Sequence, residues 1–359
     1  MSPIRSIGQL GTDIPSPMHR TARRRKASGA GSEGQGTPRN EHPGGKLPPM
    51  RITWKDGSTA GRMGIPIPRP LSQGPQESRT QALEAARHLT RIDEILRERW
   101  NRAGWDDKGG ALTVVVNQRA MGGNAYFASM PDGTGEMGIG IKDARIGFQQ
   151  SPAYSPSILF HELVHGIVGT ELRGLPAKVQ PYLNQREHNA INESIADVLS
   201  TGLLNTNWRN GHEIRDGSPL RDLTDPSVPK WNGSVRKDTG LEEHTLAGVV
   251  SRAAVVAAES AGTLPVVDAW YAGIDTHYRK ELMSVGKEGA GRALGAWVRA
   301  TMRGAEQVGG KGSALVEATR DGWEAVGLGR YATKEQLAAT LDAGSGDKKP
   351  AGKRRPSTS

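Results

Sequence analysis

The stretch His161-Glu162-Leu163-Val164-His165 sets two histidines four residues apart, with a glutamate directly after the first. It lies within a run in which Ile158, Leu159, Leu163, Ile167 and Val168 recur at helical intervals, and Ser157 can cap the start of that helix. Residues i and i+4 of a helix project from one face a turn apart, so both imidazoles can reach a single cation at ~2 Å. Glu162 is turned aside by one position, close enough to hold a water carried by that cation. This HExxH spacing arises by chance in on the order of one chain in a hundred, so five residues alone do not decide the matter.

A zinc ion that keeps one position open for chemistry needs a third protein ligand. The chain has no cysteine, which excludes disulfides and thiolate sites and restricts that ligand to His, Asp or Glu. Glu193 fits, on a second helical pattern running from Asn189 to Leu204. Asp197 shares its face four residues on, where it can accept a hydrogen bond from a ligand histidine and fix its tautomer. Ile191, Ile195, Ala196, Val198 and Leu199 surround these acids, and carboxylates on a buried helix need partners.

Around this centre the chain divides by composition. The net charge of +9 belongs to the ends: residues 1–50 carry +5, residues 343–359 carry +4, and the body between is neutral. Basic tails rich in Pro, Gly and Ser are solubilising or targeting segments by default, and the body shows no basic stripe or nucleic-acid motif. No run approaches the ~20 apolar residues that span a bilayer. The start also lacks the apolar segment of a secretory signal, turning polar after Ile7 and reaching Arg23-Arg24-Arg25-Lys26, so no classical export route is expected. No nucleic-acid or membrane partner is expected, and the body reads as a monomer.

Residues 1 to about 75 read as an irregular lead-in, interrupted at Pro48-Pro49 and from Pro66 to Pro70. A helix is expected from near Ser78, with Leu83, Ala86, Leu89, Ile92, Leu96 and Trp100 as its apolar face and glycines from Gly104 closing it. Leu112 to Val116 is a β-branched run of buried-strand type, and the glycine-rich residues 121–150 suggest a hairpin or edge strand. Residues 244–340 hold several Ala- and Val-rich helical patterns and little strand character.

Several segments resemble, in order, the thermolysin-like neutral metallopeptidases. His188-Asn189-Ala190-Ile191-Asn192-Glu193-Ser194-Ile195-Ala196-Asp197 is similar to that family's second zinc motif. Gly123-Asn124-Ala125-Tyr126-Phe127 resembles its substrate-pairing edge strand, and Pro219 to Pro226 the segment with a substrate-binding arginine. Glu243-His244-Thr245-Leu246-Ala247-Gly248 resembles the segment bearing the transition-state histidine, and Gly322-Trp323-Glu324-Ala325-Val326-Gly327-Leu328 the closing helix.

The resemblance implies an α+β fold of two lobes: an N-terminal mixed lobe with a β edge strand, a mainly helical C-terminal lobe, and one zinc in the cleft between them. It implies a zinc endopeptidase acting on a peptide or protein substrate. His161, His165 and Glu193 would be the ligands and Glu162 the general base. His244 and Tyr182 would stabilise the oxyanion; Asp197, Asn192 and Asp238 would support these groups. Asn124, Ala125 and Arg221 would bind the peptide. The spacing from His165 to Glu193 implies an insertion around Arg173 to Gln185, which leaves Tyr182 as the best candidate for its role. Asp238 stands one residue further from His244 than the pattern has it, and Glu242 or Glu243 could replace it. Ser157, Leu204, Asn207 and Arg209 occupy positions where the family's paired calcium site needs carboxylates, so calcium is not expected there. The N-terminal β-rich part is short, reminiscent of the protealysin-like branch. The expected division is a lead-in or short propeptide at 1–75, an α/β lobe at 76–205, a helical lobe at 206–342 and a basic tail at 343–359. A translocated effector or toxin aimed at one target protein, or a silent binding protein on the same fold, are the competing readings.

Overall fold

A computed structural model of the chain describes residues 47–59, 68–176, 179, 186–228, 230–231, 243–284 and 292–332. Its N-terminal lobe is a five-stranded sheet ordered β2-β1-β3-β5-β4. The strands are β1 (Arg51–Asp56), β2 (Arg69–Pro70), β3 (Ala111–Gln118), β4 (Ala125–Ser129) and β5 (Gly135–Gly140). β1, β3 and β5 run parallel, with β2 and β4 antiparallel at the two edges.

β1 corrects the expectation of an irregular lead-in as far as residue 75. Arg51-Ile52-Thr53-Trp54 alternates in the manner of a strand, and it pairs in parallel with β3 from Arg51↔Ala111 to Asp56↔Val116. That partner lies some sixty positions on, so the prolines on either side of β1 dominate any local reading. Asp56, buried at the strand's end, accepts hydrogen bonds from Ser78 Oγ at 2.5 Å and Arg69 Nε at 2.7 Å, tying β1 to the helix that follows.

That helix, α1 (Gln76–Trp100), crosses from β1 to β3. Its buried face is Ser78, Ala82, Ala85, Leu89, Ile92 and Leu96. Leu83, expected on that face, is instead 68% exposed, because stepping back from Leu89 by helical turns reaches Ala85 and Ala82. Asn101, in the left-handed conformation at φ 49°, ends the helix before any glycine is reached.

α2 (Pro156–Glu171) is buried on nearly every side from Ser157 to Val168. Its cap is Ser155, whose Oγ accepts from Ile158 N at 3.2 Å, with Pro156 as first helical residue. Ser157, expected as the cap, stands two residues too late, as the second residue of the helix. Its buried Oγ accepts from Gly211 N at 2.9 Å and donates to Glu213 Oε2 at 2.9 Å.

The edge strand β4 lies along α2 with Phe127 against Gly166. A Cβ on Gly166 would stand 2.5 Å from the Phe127 ring, too close for any relaxed contact. Alanine for glycine inside a helix ordinarily stabilises by roughly 0.5–1 kcal/mol. Gly166→Ala is expected to do the reverse and lower the melting temperature; a variant melting above the wild type would show that strand and helix are not in this contact.

α3 (Arg186–Leu203) packs beside α2 and joins the sheet lobe to the helical lobe of α4 (Glu243–Ala261), α5 (Thr263–Ala272), α6 (Arg279–Ser284), α7 (Arg292–Gly309) and α8 (Ala314–Ala325). A π-helical turn at Gly273–Tyr278 links α5 to α6. One apolar cluster runs through both lobes, from Leu112, Val114 and Phe160 to Ile195, Val250 and Trp270. In the segment expected to close the fold, Trp323 stacks on Trp270 at 5.6 Å and donates to Thr301 Oγ1 at 2.9 Å. No helix among the described residues is long and apolar enough to cross a membrane.

Candidate metal centre

The centre is assembled by α2 and α3, which lie side by side with their acidic and imidazole groups facing. His161 and His165 present their Nε2 atoms to each other at 3.1 Å. Glu193 reaches across from α3, with Oε2 3.3 Å from His161 Nε2 and Oε1 3.6 Å from His165 Nε2. One ligand atom from each of the three residues lies within 4.8 Å of the others. Two ring nitrogens and a carboxylate converging in this way form a donor set of the kind zinc takes, leaving a fourth position for chemistry.

The tautomer of His161 follows from its other nitrogen. Nδ1 lies 2.9 Å from Asp197 Oδ1, a carboxylate oxygen that can only accept, so Nδ1 carries a proton and Nε2 is the nitrogen left to a cation. Burial of His161, with Arg221 beside it, favours the neutral ring, but Asp197 and Glu193 outweigh both and hold it up at about 9 while no cation is bound, so a metal takes Nε2 by displacing a proton. Burial alone would raise Glu193 and Asp197. The His165, His161 and Arg221 charges hold Glu193 well below the usual carboxylate range, and Arg221 and His161 hold Asp197 down. Both acids are therefore anionic at neutral pH, as ligand and ligand support require. Glu162, nearly buried, stands on α2 directly after the first ligand.

β6 (Arg209–Asn210) and β7 (Arg221–Asp222) form a small ribbon beside this pair of helices. Arg221, expected to bind the peptide, lies within the site, with Nη1 3.3 Å from Glu193 Oε2, Nε 3.1 Å from Asp197 Oδ1 and Nη2 3.2 Å from His161 Nε2. Two buried carboxylates account for that position. His244, in the first turn of α4, has Nδ1 3.1 Å from Arg221 Nη1 and 3.6 Å from Glu193 Oε2, so it shares the site. Asn124 and Ala125 lie at the start of β4, the sheet's outer strand, where Ala125 pairs with Ile139.

A second, small apolar cluster of Ala125, Phe148, Ile158 and Ile214, with Leu220 packed on it, fixes the start of β4 against α2 and the segment leading to Arg221. Asn192, expected in support of the ligands, makes no bond to them among the described residues. Tyr182, Asp238, Glu242 and the side chain of Glu243 lie outside the described residues. The sequence reading missed Asn210, whose Nδ2 donates to Asp197 Oδ1 at 3.0 Å. One asparagine in a loop-rich stretch gives no local signal for such a contact.

No family model matches the chain. A bacillolysin of Brevibacillus brevis is 24% identical over 273 residues, covering 69% of this chain and 46% of the relative. A bacillolysin of Bacillus amyloliquefaciens is 26% identical over 165 residues, covering 46% of this chain and 29% of the relative. The chain thus spans less than half the length of these curated relatives. Among solved structures, the precursor of protealysin, a metalloproteinase from Serratia proteamaculans, superposes with a TM-score of 0.55 at 18% identity, over 78% of this chain and 88% of that one. The α+β arrangement of a mixed-sheet lobe and a helical lobe is the fold they share, and the relatives agree with the thermolysin-like resemblance.

Proposed function

We propose that this chain is a zinc-dependent endopeptidase. The observation that carries the reading is the convergence of His161, His165 and Glu193 within 4.8 Å, with Asp197 fixing one imidazole. Zinc held there supplies Lewis acidity towards a scissile carbonyl and a lowered pKa for water. Glu162 takes the proton from the attacking water and returns it to the leaving amine. His244 donates to the oxyanion as charge develops, a contribution of ~3 kcal/mol for such donors, and Tyr182 is proposed to share this role. Asn124 and Ala125 align the peptide as an added strand on the sheet edge, and Arg221 takes one of its carbonyls.

Calcium has no part in this reading. The region of Ser157 is held by hydroxyl hydrogen bonds, since Ser155 and Ser157 both donate to Glu213 Oε2, at 2.8 and 2.9 Å.

The test is metal analysis of the purified protein together with hydrolysis of a peptide mixture, with and without a zinc chelator. Stoichiometric zinc and chelator-sensitive cleavage are expected, with no change in melting when calcium alone is chelated. Protein that takes up no zinc would sink the proposal. Zinc without cleavage of any peptide in the mixture would point to an enzyme restricted to one protein target.

A further inference from the structure

The ribbon of β6 and β7 is only two residues long on each strand, and its register pairs Asn210 with Arg221. Both side chains of that pair converge on one atom, Asp197 Oδ1: Asn210 Nδ2 at 3.0 Å and Arg221 Nε at 3.1 Å. The same oxygen receives His161 Nδ1 at 2.9 Å. The guanidinium contact is an ion pair whose Nε–H is not aligned to donate. Asn210 thus supplies the directional hydrogen bond that the ribbon gives to this carboxylate.

Asn210 is itself held firmly. It has no exposed surface, and its carbonyl accepts from Leu220 N at 2.7 Å across the ribbon. Its Oδ1 faces Ser157 Oγ at 3.4 Å, and that hydroxyl also receives the next backbone amide, Gly211 N, at 2.9 Å. The amide's orientation follows from these partners: turned over, its oxygen would stand against a carboxylate oxygen with no proton between them. A buried chain of contacts therefore runs from Ser157 on α2 through Asn210 and Asp197 back to His161 on α2.

We infer that Asn210 is a positioning residue for the metal centre, fixing the Asp197 carboxylate so that His161 keeps its proton on Nδ1 and offers Nε2 to the cation. This rests on the zinc reading of the site. Asn210 touches no substrate and no ligand atom; it acts through Asp197. Outer partners of metal-bound histidines typically change metal affinity by about 10–100-fold when lost. With Asn210→Leu the donor disappears, and Asp197 is free to rotate towards Arg221. Asn210→Asp keeps the shape but sets a second carboxylate against Asp197, driving it from His161 by like-charge repulsion.

The experiment measures zinc affinity by competition with a chromophoric chelator at pH 8, and the visible absorption of the cobalt(II)-substituted protein, for the wild type and both variants. Thermal melting of each confirms its fold. The expected result is a fall in zinc affinity of roughly tenfold for Asn210→Leu and more for Asn210→Asp, with an altered cobalt spectrum in both. A buried asparagine with only a packing role would lower the melting temperature and leave metal affinity within twofold of wild type; that result, in either folded variant, overturns the inference alone. A wild type that binds neither metal overturns the zinc reading and this inference together.

Discussion

Glu162→Ala is expected to take up one zinc per chain, as expected of the wild type, while its kcat for peptide hydrolysis falls by roughly 10²- to 10⁴-fold. Glu162 is adjacent to a ligand but is not one of the three groups that converge, so its removal leaves His161, His165 and Glu193 in place. What disappears is the carboxylate proposed to accept the water's proton and hand it to the leaving nitrogen. Glu162→Gln should behave alike, because the amide preserves shape and hydrogen bonding but has no usable basicity. Metal content by mass spectrometry and steady-state kinetics on one peptide separate the two properties. A variant with full zinc and normal turnover would refute the assigned base; one that loses zinc would mean Glu162 belongs to the ligand set.

The legibility of this site in the sequence follows how local each contact is. His161 and His165 share one helix, as do Glu193 and Asp197, so a spacing of four residues puts each pair on one face without any knowledge of the fold. Pairing the two helices needed a chemical argument, that a buried acid beside a histidine pair requires a partner. The same locality explains the failures. Ser155 and Ser157 are both cap-type residues two apart, and only the path of the 209–214 segment decides which of them caps. β1 depends on a parallel partner beyond α1. Asn210 owes its place to a ribbon of two residue pairs, too short to leave a pattern.

Arg102→Met should produce a large loss of stability at a position outside the metal centre. Arg102 is 1% exposed, just past the end of α1, and its guanidinium is shared between the lobes. Nη1 meets Glu171 Oε1 at 2.8 Å, Tyr271 Oη at 3.4 Å and Asp275 Oδ1 at 3.8 Å, while Nε and Nη2 donate to Gly104 O at 3.2 Å and Trp105 O at 2.8 Å. Glu171 is the last residue of α2, the helix that carries His161 and His165; Tyr271 and Asp275 belong to α5 and the π-helical turn. Around it, Trp100 stacks on Tyr271 at 3.8 Å and Arg99 grips Asp268 with two bonds, of 2.8 and 2.7 Å. Methionine fills much of the same volume but leaves two carboxylates facing each other and two backbone carbonyls without donors. Breaking a buried pair from one side costs about 3–5 kcal/mol, against well under 1 kcal/mol for an exposed pair such as Arg91 with Glu94. In a chain of this size that corresponds to a fall in melting temperature of roughly five degrees. Arg102→Lys should recover only part of it, since a single ammonium cannot reproduce the fork that reaches two carbonyls and a carboxylate together. Adding Glu171→Gln to Arg102→Met should also recover stability, because it removes one of the stranded charges; the double-mutant cycle then gives the coupling directly. A fall of less than two degrees in the single variant would mean that the lobes are held by their shared apolar cluster alone.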